Sequence, residues 1–198
     1  MRLTDLLVAP WGLALAGTVA LLLIALVALG IRHRRRGSVE RRLRSVSTDV
    51  LTNFLIPDGE GGEIHVEFAL LTSHGVLVLE VRDVDGHVFG SDTMQDWTVI
   101  SKNRRFTFSN PQPPLYDRVA AVKRLLPELP VTGYLAFSES AKFSKGRPTN
   151  VVMLDQFIDE LRRAARNSRT GKIELFQPPW DRLRHEAVTA QFGHLMKG

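Results

Sequence analysis

The chain has 198 residues, of which 44% are hydrophobic and 24% are charged, a composition that suits one folded domain with appendages. It contains no cysteine, which excludes disulfides, thiol catalysis and zinc–thiolate sites. The net charge of +5 is local: residues 1–44 hold 8 of the 26 basic and 2 of the 21 acidic side chains, which leaves 18 basic and 19 acidic ones. Residues 45–198 therefore do not have the composition of a strongly basic nucleic-acid-binding domain.

An uncharged stretch at residues 6–31 is long enough to cross a lipid bilayer, for which about twenty apolar residues suffice. A cleaved signal peptide is the alternative, but the apolar run is too long and no small-x-small site lies near its end. Seven arginines follow within residues 32–44, and the positive-inside rule assigns them to the cytoplasm. We therefore predict a single-pass transmembrane helix in the cell inner (plasma) membrane, with the amino terminus outside and the following domain cytoplasmic.

The arginine-rich residues 32–44 form a basic juxtamembrane segment. They serve as a stop-transfer signal that also suits contact with anionic lipid, and a nucleic-acid-binding arm is the alternative. Apolar residues then recur at helical spacing from Val39 to Val50, with Ser38 as a plausible N-cap, and predict a short helix. Residues 49–56 predict an edge strand.

Two strands joined by a short turn are predicted around residue 73. Apolar residues alternate from Ile64 to Leu70, and the stretch from Val76 to Val81 is rich in β-branched and aliphatic residues. The turn is Thr72-Ser73-His74-Gly75. A third strand is expected to begin at His87, because Asp85-Gly86 is a strong signal for a two-residue hairpin.

The register of these strands predicts a pair of acidic side chains. If Ser73 and His74 form the turn, Glu67 lies directly opposite Glu80. Opposed carboxylates repel each other, so a cation is expected between them. It is either a divalent metal bound by oxygen ligands or Arg82, which shares a strand face with Glu80. The residues alone also allow a third interpretation, in which both glutamates are ordinary side chains on an exposed sheet face.

Residues 98–108 alternate loosely and contain a basic cluster of Lys102, Arg104 and Arg105. This cluster is the best candidate in the domain for phosphate contacts, and a solvated edge strand explains it equally well. After a proline-rich break, residues 115–126 predict a helix and residues 131–137 a buried strand. A strand, a helix and a second strand in this order imply a right-handed crossover and at least one parallel pair.

The remaining elements complete an α/β domain. Residues 150–154 predict a short strand, and Asp155 begins a helix that runs to about Arg166. We therefore assign residues 45–166 to one domain, whose start moves to residue 38 if the short helix belongs to it. Residues 167–198 form a C-terminal extension with one helix expected from Trp180.

These residues resemble the nuclease-related domain (NERD) family over about residues 38–161. The family pattern is a strand with an acidic residue, a glycine turn, an aliphatic strand ending in Glu-x-Lys, a Gly-x-[IV]-x-Gly hairpin, a tryptophan, an Asn-Pro pair and an amphipathic helix. The corresponding segments here are Val66-Glu67-Phe68, Gly75, Val78-Leu79-Glu80-Val81-Arg82, Gly86-His87-Val88-Phe89-Gly90, Trp97, Asn110-Pro111 and the helix after Leu115.

The resemblance implies a fold like that of the PD-(D/E)xK nucleases, a restriction-endonuclease-like mixed central sheet flanked by helices. It implies that Glu67 and Glu80 bind Mg²⁺, which activates water and neutralises charge on the scissile phosphate of DNA or RNA. Arg82 takes the place of the lysine, and a glutamate on the first helix, here Glu40, joins the catalytic site.

The sequence departs from the family pattern at the site itself. Glu67 replaces an aspartate, and Arg82 replaces a lysine although arginine is always protonated and cannot act as a base. Two functions follow. The first is a membrane-anchored, magnesium-dependent DNA or RNA phosphodiesterase in which Arg82 holds a phosphate. The alternative is a catalytically inactive pseudonuclease, a membrane-tethered binding or scaffold module in which Arg82 takes the place of the metal.

Overall fold

The computed structural model describes residues 37–167 and 171–196, together with residues 18, 19, 22 and 23. Backbone contacts divide the chain into a unit of residues 1–41 and a unit of residues 42–198. The membrane helix predicted at residues 6–31 lies, apart from four residues, outside the described part of the chain and stays a prediction. Within the part that is described, no helix is long and apolar enough to cross a membrane.

The second unit contains both strands and helices, as expected for an α/β protein. The strands are β1 (Asp49–Pro57), β2 (Glu63–Thr72), β3 (Gly75–Arg82), β4 (Gly86–Phe89), β5 (Asp96–Ser101), β6 (Arg104–Ser109), β7 (Val131–Phe137), β8 (Ala141–Lys142) and β9 (Val151–Met153). The helices from residue 37 onward are α1 (residues 37–44), α2 (Gln112–Leu125), α3 (Leu154–Asn167) and α4 (Gly171–Met196).

The strands form two mixed sheets where the sequence predicted one. The central sheet has the order β1-β2-β3-β7-β9, and a second sheet, here called the small sheet, has the order β6-β5-β4-β8. The predicted parallel pairing is confirmed, because β7 runs parallel to both β3 and β9. The expectation of a mixed α/β fold flanked by helices is therefore confirmed, and its single sheet is replaced by two.

The predicted turn between β2 and β3 is confirmed together with its register. Thr72 pairs with Gly75, and the pairing continues step by step to Phe68 and Leu79. Gly75 has a φ of 123°, and a Cβ there would lie 2.3 Å from the carbonyl oxygen of Pro130. Glycine is therefore required at this position, because it alone tolerates both the backbone angle and the close approach.

The predicted hairpin between β3 and β4 is wrong. β4 leaves the central sheet and pairs with β5 and β8. The chain is redirected by contacts with the segment after β7, where the Ser138 hydroxyl bonds to Val84 and the amide of Gly86 donates to the carbonyl of Ser140. These partners lie more than fifty residues away, so the local Asp-Gly signal could not reveal them.

Close packing joins the helices and the two sheets. Gly133 on β7 lets α2 approach closely, since a Cβ there would lie 2.4 Å from a methyl group of Val119. Trp97 is fully buried and stacks on Phe137, with ring centroids 6.2 Å apart, so it joins the small sheet to the end of β7. α4 packs on β1 through Trp180, and it begins at Gly171, earlier than the predicted Trp180.

Candidate active site around Glu80

Two acidic side chains meet where the pairing of β2 with β3 ends. The last paired residues are Phe68 and Leu79, so Glu67 and Glu80 come next in the same register. The Glu67 side chain reaches β3, where its Oε2 accepts a hydrogen bond from the amide of Val81 at 2.9 Å. Glu67 therefore contacts the peptide group that joins Glu80 to Val81, as expected of glutamates placed across two strands.

Glu80 is buried, with only 4% of the residue exposed. This excludes the interpretation in which it is an ordinary residue of an exposed sheet face. It lies on the third of five strands of the central sheet, and on its other side β3 continues to pair with β7 at Leu135. A buried carboxylate needs charged or hydrogen-bonding partners, because moving a charge out of water is costly.

Two arginines provide those partners, one for each carboxylate oxygen. The Nη2 of Arg82 lies 2.7 Å from Oε2 of Glu80 and forms a hydrogen bond with it. The Nη1 of Arg118, on α2, lies 2.8 Å from Oε1. This second contact is an ion pair without hydrogen-bond alignment, since Nη1 is buried and makes no hydrogen bond to any described residue. Both oxygens of Glu80 therefore face a positive charge.

Arg118 is the site residue that the sequence analysis missed. Its Nε donates a hydrogen bond to the carbonyl of His65 at 2.7 Å, which fixes the guanidinium over β2 and β3. A signal was available: Arg118 is three residues after Leu115 and next to Val119, so it borders the apolar stripe of α2. A cation at the edge of a buried helix face is well placed to reach a buried carboxylate.

The fourth predicted site residue, Glu40, lies on α1 and is half-buried. It belongs to the unit of residues 1–41, while Glu67, Glu80 and Arg82 belong to the unit of residues 42–198. Its part in the catalytic site stays a prediction.

The side chains at this site do not fit the Mg²⁺ ion that the family resemblance implies. Mg²⁺ requires oxygen ligands in near-octahedral geometry, and both oxygens of Glu80 already face guanidinium groups within 3 Å. A dication placed there would be repelled by two positive charges at short range. Among the residues that the structure describes, no three His, Cys, Asp or Glu side chains come together as a possible metal site.

A polar network at the start of α2 positions the helix that carries Arg118. The buried Gln112 donates through Nε2 to Asp92 at 2.7 Å and to the carbonyl of Thr149 at 2.8 Å. Thr149 in turn donates to Asp92 through its amide at 2.8 Å and its hydroxyl at 2.7 Å. Asp92 therefore links α2 to the two loops that precede β5 and β9.

This network makes the stability of the folded protein decrease when the pH becomes acidic. Hydrogen bonds from the Thr149 hydroxyl, the Gln112 amide and the Thr149 backbone lower the pKa of Asp92 below its ordinary 3.8. A lowered folded-state pKa stabilises the protein above the unfolded pKa, and this contribution is lost as pH falls through the folded value. We expect Asp92→Asn to lower the melting temperature at neutral pH and to flatten its decline below about pH 5.

The measurement is the thermal unfolding midpoint between neutral pH and about pH 3. The matched control is Asp85→Asn, an exposed aspartate that makes no hydrogen bond to the described residues, which should follow the wild-type curve. An Asp92→Asn curve parallel to wild type throughout would show that the network does not hold the ionised carboxylate.

A protein-family model matches more than half of this chain. A family model described as "Nuclease-related domain" (NERD) matches residues 33–138, more than half of the chain and the whole of the Glu67–Glu80 site. No curated protein and no solved structure matches it.

Proposed function

Because the chain belongs to the nuclease-related domain family, we propose that it is a pseudonuclease, in which an arginine–glutamate cluster replaces the metal and hydrolysis is lost. It acts as a binding module that residues 6–31 tether to the membrane. The observation that carries this proposal is the pairing of both oxygens of the buried Glu80 with Arg82 and Arg118.

The charges around Glu80 support binding without hydrolysis. A metal-dependent nuclease needs free carboxylate oxygens to hold the ion that activates water. Here one carboxylate is shared by two guanidinium groups, and Oε2 of Glu67 accepts the Val81 amide. Arginine also remains protonated, so neither Arg82 nor Arg118 can remove a proton from water. The two arginines therefore form a stable ion-pair cluster with Glu80 and do not supply a base.

Metal titration of the full-length chain in mild detergent tests the proposal. Mn²⁺ and Mg²⁺ should leave the melting temperature unchanged, and supercoiled DNA, single-stranded DNA and RNA should stay intact in either metal. Arg82→Lys combined with Arg118→Gln restores Glu-x-Lys and frees one oxygen of Glu80. This variant should gain saturable stabilisation by Mn²⁺, about 2.7 kcal/mol at about one hundred times Kd.

The opposite results identify an active enzyme. Saturable stabilisation of the wild-type chain by Mn²⁺, lost in Glu80→Gln and accompanied by metal-dependent cleavage, would mean that the arginines yield to the metal. In that case the first function deduced from the sequence, a membrane-anchored magnesium-dependent phosphodiesterase, is correct. The matched control for Glu80→Gln is Glu160→Gln, an exposed glutamate on α3.

A further inference from the structure

The solvent-facing side of the small sheet carries a row of two basic side chains, one histidine and one isoleucine. Strand pairing aligns Lys142 on β8 with His87 on β4, His87 with Ile100 on β5, and Ile100 with Arg105 on β6. Residues paired in this way point to the same side of a sheet. We call these four residues the exposed row. At about 4.8 Å per strand, it crosses roughly 14 Å.

All four members of the exposed row are open to solvent, including Ile100, which is 40% exposed. Burial alternates along β5 and distinguishes the two sides of the small sheet. Trp97 and Val99 on one side are fully buried, while Asp96 and Ile100 on the other are exposed. The core therefore covers only one side of the small sheet.

Strand β4 adds two ring-bearing side chains to this surface. The exposed His87 and the half-buried Phe89 are two residues apart, so they lie on the same side of β4, while Val88 between them is buried. The Nδ1 of His87 lies 2.8 Å from the hydroxyl of Ser144, which fixes the imidazole ring. Phe89 pairs with Thr98, and Thr98 with Thr107, in a second row that adds hydroxyl groups.

We propose that this side of the small sheet binds single-stranded nucleic acid. Phosphates would be held by Arg105 and Lys142 at the two ends of the exposed row, and bases would stack on the rings of His87 and Phe89. Single strands bind to surfaces that combine cations with ring faces, because each nucleotide presents one phosphate and one base. A bound acidic peptide would use the cations and leave the rings unused.

The surrounding charges favour an anionic ligand. Lys102 and Arg104 add two cations in and beside the turn between β5 and β6. The acidic residue on the same side of β5 is Asp96, four residues from Ile100 and therefore about 14 Å away along the strand. That exceeds the screening length of about 8 Å at physiological salt. Register puts Arg104 on the other side of β6, and the exposed Asp85 lies two residues before His87. The cations on this side are therefore Arg105 and Lys142, with Lys102 in the turn.

This binding does not depend on the state of Glu80 and is tested without metal. Fluorescence anisotropy with labelled oligothymidine, oligouridine and a duplex of equal length should be measured in EDTA with the full-length chain in mild detergent. We expect saturable binding of the single strands that weakens with salt, and weaker binding of the duplex. Arg105→Glu with Lys142→Glu should lower affinity about tenfold or more and reduce the salt slope by about 1.4.

His87→Ala should lower affinity about fivefold or more, because a stacking surface is lost while the charges of Arg105 and Lys142 remain. The matched control is Arg163→Glu on the exposed side of α3, which should leave affinity unchanged. Equal losses in Arg163→Glu and the double variant would overturn the proposal. The proposal would also be overturned if His87→Ala bound the single strands with wild-type affinity, or if anionic vesicles displaced the single strands completely. Melting temperatures of the variants confirm that each one is folded.

Discussion

Replacement of Arg118 by methionine is expected to lower the free energy of unfolding by about 3 kcal/mol, among the largest effects of any single change in this protein. The cause is the buried Glu80, which would retain only Arg82, a side chain that is 43% exposed. Without Arg118, Oε1 of the buried Glu80 would face no cation, and Arg82 alone would compensate a charge that water does not reach. Methionine keeps the apolar length of the side chain, so the loss of packing is small.

Urea unfolding of a double-mutant cycle measures this effect. Glu80→Gln removes the buried charge, so Arg118→Met should cost much less in that background, with a coupling energy on the order of 1–3 kcal/mol. Arg163→Met is the matched control on an exposed helix face and should change stability by less than about 0.5 kcal/mol. A coupling energy near zero would mean that Arg118 stabilises the fold without regard to Glu80, and the ion-pair cluster would lose its support.

Trp180→Ala is expected to lower the free energy of unfolding by about 4 kcal/mol. Trp180 is fully buried between α4 and β1, and its ring Nε1 donates to Oδ2 of Asp49 at 2.8 Å. Alanine would leave a cavity of most of an indole and remove that hydrogen bond. Because the family match ends at residue 138, this variant tests whether the C-terminal helix belongs to the folded core.

Two matched variants separate the causes. Trp180→Phe keeps most of the packing but cannot donate to Asp49, so it should cost about 1–2 kcal/mol. Leu175→Ala lies on the same helix at a residue that is 72% exposed, and should change stability by less than about 0.5 kcal/mol. If Trp180→Ala were no more harmful than Leu175→Ala in urea unfolding, α4 would not be docked on β1.

Helix α4 also illustrates how packing can override a local signal. Pro178 and Pro179 predict that a helix starts only after them, because proline removes backbone donors from the helix interior. The helix nevertheless runs through both prolines. Phe176, Trp180 and Leu183 recur at helical spacing and pack against the core, and their burial offsets the missing hydrogen bonds.

The sequence was most informative where the relevant contacts are local. The turn at Ser73 and His74 fixes the register of β2 against β3, since pairing propagates outward from a tight turn. The alternation of β2 and the apolar stripe of α2 likewise follow from residues close together in the chain. The register that brings Glu67 towards Glu80 could therefore be deduced from the sequence, whereas the hydrogen bond of Glu67 to the Val81 amide could not.

Tertiary structure alone decided what surrounds those glutamates and where β4 goes. Arg118 reaches Glu80 because Gly133 lets α2 settle close to β7, a distance that helix periodicity does not determine. The exposed row forms because hydrogen bonds to Ser138 and Ser140 direct the chain after β3 away from the central sheet. Both outcomes depend on partners distant in sequence, whose proximity is set by the packing of the whole domain and by no local pattern.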